Sequence, residues 1–268
     1  MVGDTTLKEI VPLLERQLGN WKAEGPAPEV KAPVDVARPA HARVYLIDQP
    51  GAVQANLFAS QVVPSSRDPG STRFDIANGV LGGDFTSRLN MNLREQKHWS
   101  YGAGSSASNT LGQRPWGARA PVQIDKTAEA MQEMQKEIAE FANGAKPATP
   151  AEVARIRNIQ NLSLPGAYET ASAVMGTISG IVRYQRPDDY VVQRKAEIEA
   201  MTPAQVQQAA ATLDPNALTW VVVGDLKQTE APVRALKLGQ VQVIDAEGKV
   251  VDAPATPATP AAAAPKAR

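Results

Sequence analysis

"LGGDFTSRLNMNLREQKHWSYGAGSS", Leu81 to Ser106, is the stretch on which the reading of this chain turns. Arg73 to Gly83 reads as a helix ended by Gly82 and Gly83, because glycine closes a helical turn without a Cβ clash. Asp84 or Thr86 can cap the next helix, which runs to about Lys97 with Phe85, Leu89 and Leu93 on its buried stripe. "WSYGAGSSASNT" and "QRPWGARAPVQI" read as two strands joined at a Leu111-Gly112 turn. Arg88, Arg94, Glu95, Lys97, His98, Trp99 and Tyr101 crowd the sixteen residues from Ser87 to Gly102, where a plain fold needs only a turn. Arg94 and Tyr101 stand seven residues apart, one near a helix end and one in the next strand. A guanidinium and a phenol so placed can hydrogen-bond a peptide carbonyl or a developing oxyanion. On spacing alone the plainer reading stands ahead: Arg94 on a surface carboxylate, Tyr101 packed on Trp99.

Upstream, Thr5 to Trp21 has the three-and-four spacing of an amphipathic helix in Leu7, Ile10, Val11, Leu14 and Leu18. A proline-rich linker follows, residues 22–41, and the main domain opens at Ala42. "ARVYLID" and "VQANLFASQVV" read as a strand pair around the "QPGA" turn. Downstream come five helices: Asp125 to Asn143, a stretch capped at Thr149, Tyr168 to Tyr184, Asp188 to Ala200, and Thr202 to Leu213. Ala171, Val174, Ile178 and Ile181 share one face of the third. "ALTWVVVGD" is a last buried strand, and Trp116, Trp220, Met131 and Met134 read as core. Residues 42–250 form the domain; residues 251–268 are an Ala/Pro tail expected to be disordered. "VGDTTLKEIVPLLERQLG" echoes "VGDLKQTEAPVRALKLG", with Gly3 and Gly224 separated by 224 − 3 = 221 residues. Residues 1–21 are therefore expected to be the terminal helix of a preceding domain copy.

Lys plus Arg and Asp plus Glu both number 28, so charge gives no argument for nucleic acid or an anionic membrane. No apolar run is long enough to span a bilayer. The chain has no cysteine, which excludes disulfides and thiolate ligands. Its two histidines, His41 and His98, form no metal-binding pair, so no metal site is expected within it. A lone His98 beside Trp99 reads as partly buried, and Arg88 as a structural ion pair.

The ordered motifs Gly82-Gly83, Ser87-Arg88-Leu89, Leu93-Arg94-Glu95 and Tyr101-Gly102 resemble the second, non-metal domain of the M16 zinc metallopeptidases. The hairpin "LIDQPGAVQANLF" and the closing "VVVGD" extend the resemblance over Val44 to Val241. It implies an α+β two-layer sandwich, a mixed and mostly antiparallel sheet with helices on one face. It also implies Arg94 and Tyr101 as a catalytic pair, with Gly82, Gly83, Ser87 and His98 toward the substrate. The inverted His-x-x-Glu-His zinc motif of that family is missing here. Zinc is thus expected in a partner domain, fused or separate, and a peptide or unfolded polypeptide as substrate. The alternative is a non-catalytic scaffold or assembly subunit. A periplasmic location fits the missing cysteine and the Ala/Pro tail.

Overall fold

Period-two alternation divides the strands into two faces. In β1 (Arg43–Asp48) Val44 and Leu46 are buried, and in β2 (Gln54–Val63) Ala55, Leu57 and Ala59. In β4 (Arg114–Gln123) Trp116, Ala118, Ala120 and Val122 point the same way, as do Trp220 and Val222 of β5 (Thr219–Gly224). Their neighbours Tyr45, Asn56, Phe58, Arg119 and Val221 stay part or fully exposed, so one face is packed and one open. With β3 (Gly104–Ala107) and β6 (Gln240–Ile244) the strands form one sheet, ordered β3-β4-β2-β5-β1-β6, in a computed structural model that describes residues 1–22, 24–26, 29 and 31–251. β1 runs parallel to β5 and β6; the β2–β4, β2–β5 and β3–β4 pairs are antiparallel. The expected α+β architecture holds.

The packed face is covered by helices. Met131, Met134, Ile138 and Phe141 of α4 (Thr127–Ala142) are each fully buried, and each such side chain contributes about 1.5–3 kcal/mol. α5 (Pro150–Leu162) opens with the expected capping box, Thr149 with Glu152, and α8 (Pro203–Ala210) with a second one, Thr202 with Gln205. α7 spans Tyr190–Glu199 and α9 Leu226–Ala235. α1 (Leu7–Leu18) has its own capping box, Thr6 with Glu9, yet buries none of its residues. The linker carries no helix or strand among its described residues. It is tied to the domain where Arg38 Nε donates to Val62 O and Val36 N to Gln113 Oε1.

Several expectations need correction. α2 (Ser71–Asn78) continues as a π-helical turn, Gly79–Gly83, so the glycines lie inside the helical path. Neither Asp84 nor Thr86 caps the next helix. Asp84 Oδ2 instead accepts from Thr86 N and Thr86 Oγ1 in a local turn, and α3 (Arg88–Asn90) starts after Ser87. Phe85 is therefore in that turn, 58% exposed, while Leu89 and Leu93 are buried. The strand expected over "WSYGAGSSASNT" shrinks to β3, with one isolated bridge at Ser100. Pro115 and Pro121 flank the four β4 residues that β3 pairs, Trp116 to Arg119, and proline has no N–H to extend the ladder. α6 (Ala171–Arg183) forms, but no residue of it is buried. β6 is an unexpected strand, and the expected disordered tail falls outside the described residues except for Val251.

Candidate active-site cleft

After α3 the helix widens into a π-helical turn, Met91–Gln96. Its end is closed by Lys97 N on Asn92 O, His98 N on Arg94 O and Trp99 N on Leu93 O. His98 adopts φ 56° there, a left-handed conformation that glycine normally supplies at helix ends. Leu93 is anchored in the core, and the next residue, Arg94, emerges with its side chain 39% exposed. Wide helical turns of this kind recur at functional sites.

Arg94 emerges onto a cleft of 640 Å3 lined also by Phe58, Gly82, Gly83, Gly102 and Arg119. Asn90 braces two of its walls: Nδ2 donates to Phe85 O at 2.6 Å, and Oδ1 accepts from Ala103 N at 3.0 Å. Gly82 is buried so tightly on β3 that a Cβ there would sit 2.4 Å from Ser105 Oγ and 2.6 Å from Ser105 N. Glycine is required by that close approach. Asn78 secures the same wall. Its Oδ1 accepts from Trp116 Nε1 and Ser105 Oγ, and its Nδ2 donates to Ser105 O.

Arg94 is lightly held. Its Nε is 3.3 Å from Glu95 Oε1 and its guanidinium carbon 4.6 Å from the centre of the Phe85 ring. A half-exposed ion pair contributes about 0–1 kcal/mol, and an exposed cation–π contact about 0.5–1 kcal/mol. Tyr101 stands 87% exposed in the loop before β3. It is not in a strand, because Ser100 Oγ donates to Pro121 O and Gly102 O and turns the chain there. No hydrogen bond to the Tyr101 phenol occurs among the described residues, and no packing on Trp99 covers it; Trp99 lies beneath Lys97 instead, 5.2 Å from its ammonium to the ring centre.

The structure therefore gathers Arg94, Gly82 and Gly83 around one cleft, with Tyr101 adjoining its Gly102 wall. His98 is exposed but does not line the cleft. Ser87 is fully buried at the start of α3, where its carbonyl accepts from Met91 N, and it offers nothing to a substrate. Arg88 is the structural ion pair that its sequence context suggested. It meets Glu152 through two hydrogen bonds, Nε to Oε1 at 2.7 Å and Nη2 to Oε2 at 2.8 Å. Burial pushes the Glu152 carboxyl up, but bonds from Arg88 and Thr149 outweigh that and hold it at about 2. Arg119 was not singled out from sequence. Its signal was present: it falls on the open face of β4's alternation, among glycine, alanine and proline.

Among the described residues no group of three or more His, Cys, Asp or Glu is placed to hold a metal.

Residues 1–160 match the family model described as the peptidase M16 inactive domain. No curated protein matches the chain. Among solved structures, a protease from Helicobacter pylori is similar with a TM-score of 0.73 at 17% identity, over 83% of this chain and 53% of that one. The periplasmic protease PqqL from Escherichia coli gives 0.65 at 17%, over 83% and 24%. A chain of complex III from Candida albicans gives 0.67 at 16%, over 84% and 54%. This chain thus spans about half, or less, of the length of each. At such identities the neighbours speak for the fold, while the family model covers well over half of the sequence, and the chain belongs to the peptidase M16 inactive-domain family.

Proposed function

We propose that this chain is the substrate-binding, site-completing half of an M16-type zinc metalloendopeptidase. The zinc resides in a partner domain, either in the same full-length protein or in a separate subunit. One observation carries the reading: Arg94 opens onto the cleft, its side chain held among the described residues by a neighbouring carboxylate and a ring. Arg94 and Tyr101 donate hydrogen bonds to the carbonyl or backbone of an extended peptide that crosses from the partner domain. Both are pure or potential donors at the rim of one cleft, which suits a carbonyl acquiring negative charge. Gly82 and Gly83 line the same cleft, and Gly82 lets that wall pack closely on β3. The metal chemistry belongs to the partner. Residues 1–21 belong to the preceding domain copy. That is supported by the 221-residue echo and by α1, which buries nothing, whereas α9, its counterpart, buries Thr229 and Val233. The periplasm suits this reading, in keeping with the PqqL neighbour.

The test joins this chain to its zinc-bearing partner. Arg94→Ala and Tyr101→Phe should each lower peptide turnover by about 100-fold, in the range for one lost oxyanion donor, with zinc content unchanged. Unaltered turnover in both variants would remove these residues from the site. The second reading is a scaffold or assembly subunit, favoured by the family's own description as an inactive domain and by the complex III neighbour. It predicts an assembled particle whose peptide turnover is absent with or without Arg94.

A further inference from the structure

Away from the cleft, α5, α6 and α7 enclose a second cavity of 530 Å3. Arg183, Arg186, Arg194 and Lys195 all line it, and no carboxylate does. Of the carboxylates of α7, Glu197 pairs with Arg73 and Glu199 neutralises Lys195, and among the described residues none pairs with the three arginines. Those guanidiniums are instead oriented by neutral groups. Arg186 lies against two rings, 4.8 Å from Tyr184 and 4.1 Å from Tyr190, and its Nη2 donates to Ser66 O. Arg194 donates to Gln160 Oε1 through both terminal nitrogens. Three guanidiniums with no carboxylate partner among the described residues surround one concave, partly apolar space, repel one another and raise a positive potential that draws in anions. Planar guanidinium donors match the paired oxygens of carboxylate and phosphoryl groups. α6 buries none of its own residues, so a ligand bridging Arg183 to Arg194 would also fasten that helix.

We propose that this cavity binds a small organic or inorganic polyanion, one carrying two or more carboxylate or phosphoryl groups, through Arg183, Arg186 and Arg194. Calorimetric titration of the full chain with pyrophosphate and with citrate, at constant ionic strength, tests it. Saturable binding of either anion supports the site and tells phosphoryl from carboxylate chemistry. Arg183→Gln and Arg194→Gln should each weaken that binding by about tenfold, while Arg16→Gln on α1 should leave it unchanged. Among the described residues the Arg183 side chain makes one ring contact, at 6.0 Å, and no hydrogen bond or ion pair, so its variant keeps the fold. Hydrogen exchange of the α6 amides should slow when the anion is added. Failure of both anions to bind, equal losses in all three variants, or binding confined to a hexaglutamate peptide would overturn the proposal.

Discussion

Arg88 and Arg94 lie six residues apart on one helical path, and they differ in almost everything except their chemistry. Arg88 spends its donors inside the protein. Besides Glu152 it donates to the carbonyls of Lys146 and Pro147 and covers the Phe141 ring at 4.8 Å. Its side chain is 13% exposed, against 39% for Arg94. The π-helical turn between them rotates Arg94 off the packed side and onto the cleft. A saturated, buried arginine holds structure, and a lightly engaged one at a cleft is available to a ligand.

The largest test of that contrast is Arg88→Ala. It leaves the Glu152 carboxylate without its partner, and about 3 kcal/mol of stability should disappear in urea unfolding; a loss below about 1 kcal/mol would break the comparison. The same pair sets a pH dependence. Glu152 is held at about 2, below its ordinary 4.5. Its stabilisation is thus complete above 4.5 and fades as the pH falls toward 2, where the folded carboxylate takes up a proton. The stability gap between the wild type and Arg88→Ala should narrow over that window, and a gap that stays constant would contradict the pairing. His98→Gly should raise stability by about 1 kcal/mol, since glycine meets φ 56° without strain. Smallest is Arg94→Ala, whose unfolding free energy should change by less than about 0.5 kcal/mol. A large stability loss there would make Arg94 a second structural arginine.

Much of this was legible in the sequence because local rules were left unopposed. Leu89 and Leu93, the Thr149 cap, and Trp116 and Trp220 fell where period and capping chemistry put them. Phe85 misled because it keeps helical spacing with Leu89 while the helix has not yet begun. The apolar face of α6 follows the same periodicity as a core helix, but α2, α4, α5 and α8 already surround the packed core, and period does not say which helix arrives there. β6 is five residues, Gln-Val-Gln-Val-Ile, too short to stand out before its parallel pairing with β1 is known. Of the site, the Arg94 and Tyr101 positions could be named from motif order. The exposure of one phenol and the companionship of Arg119 required the sheet.

The four-residue β3 has a further consequence. Proline on both sides of its ladder and the Gly79–Gly83 turn packed against it leave little unpaired backbone on that margin. At the opposite margin, Val251 N donates to Val243 O as the chain doubles back beside β6. Covered margins of this kind are how sheets limit strand-to-strand pairing between molecules.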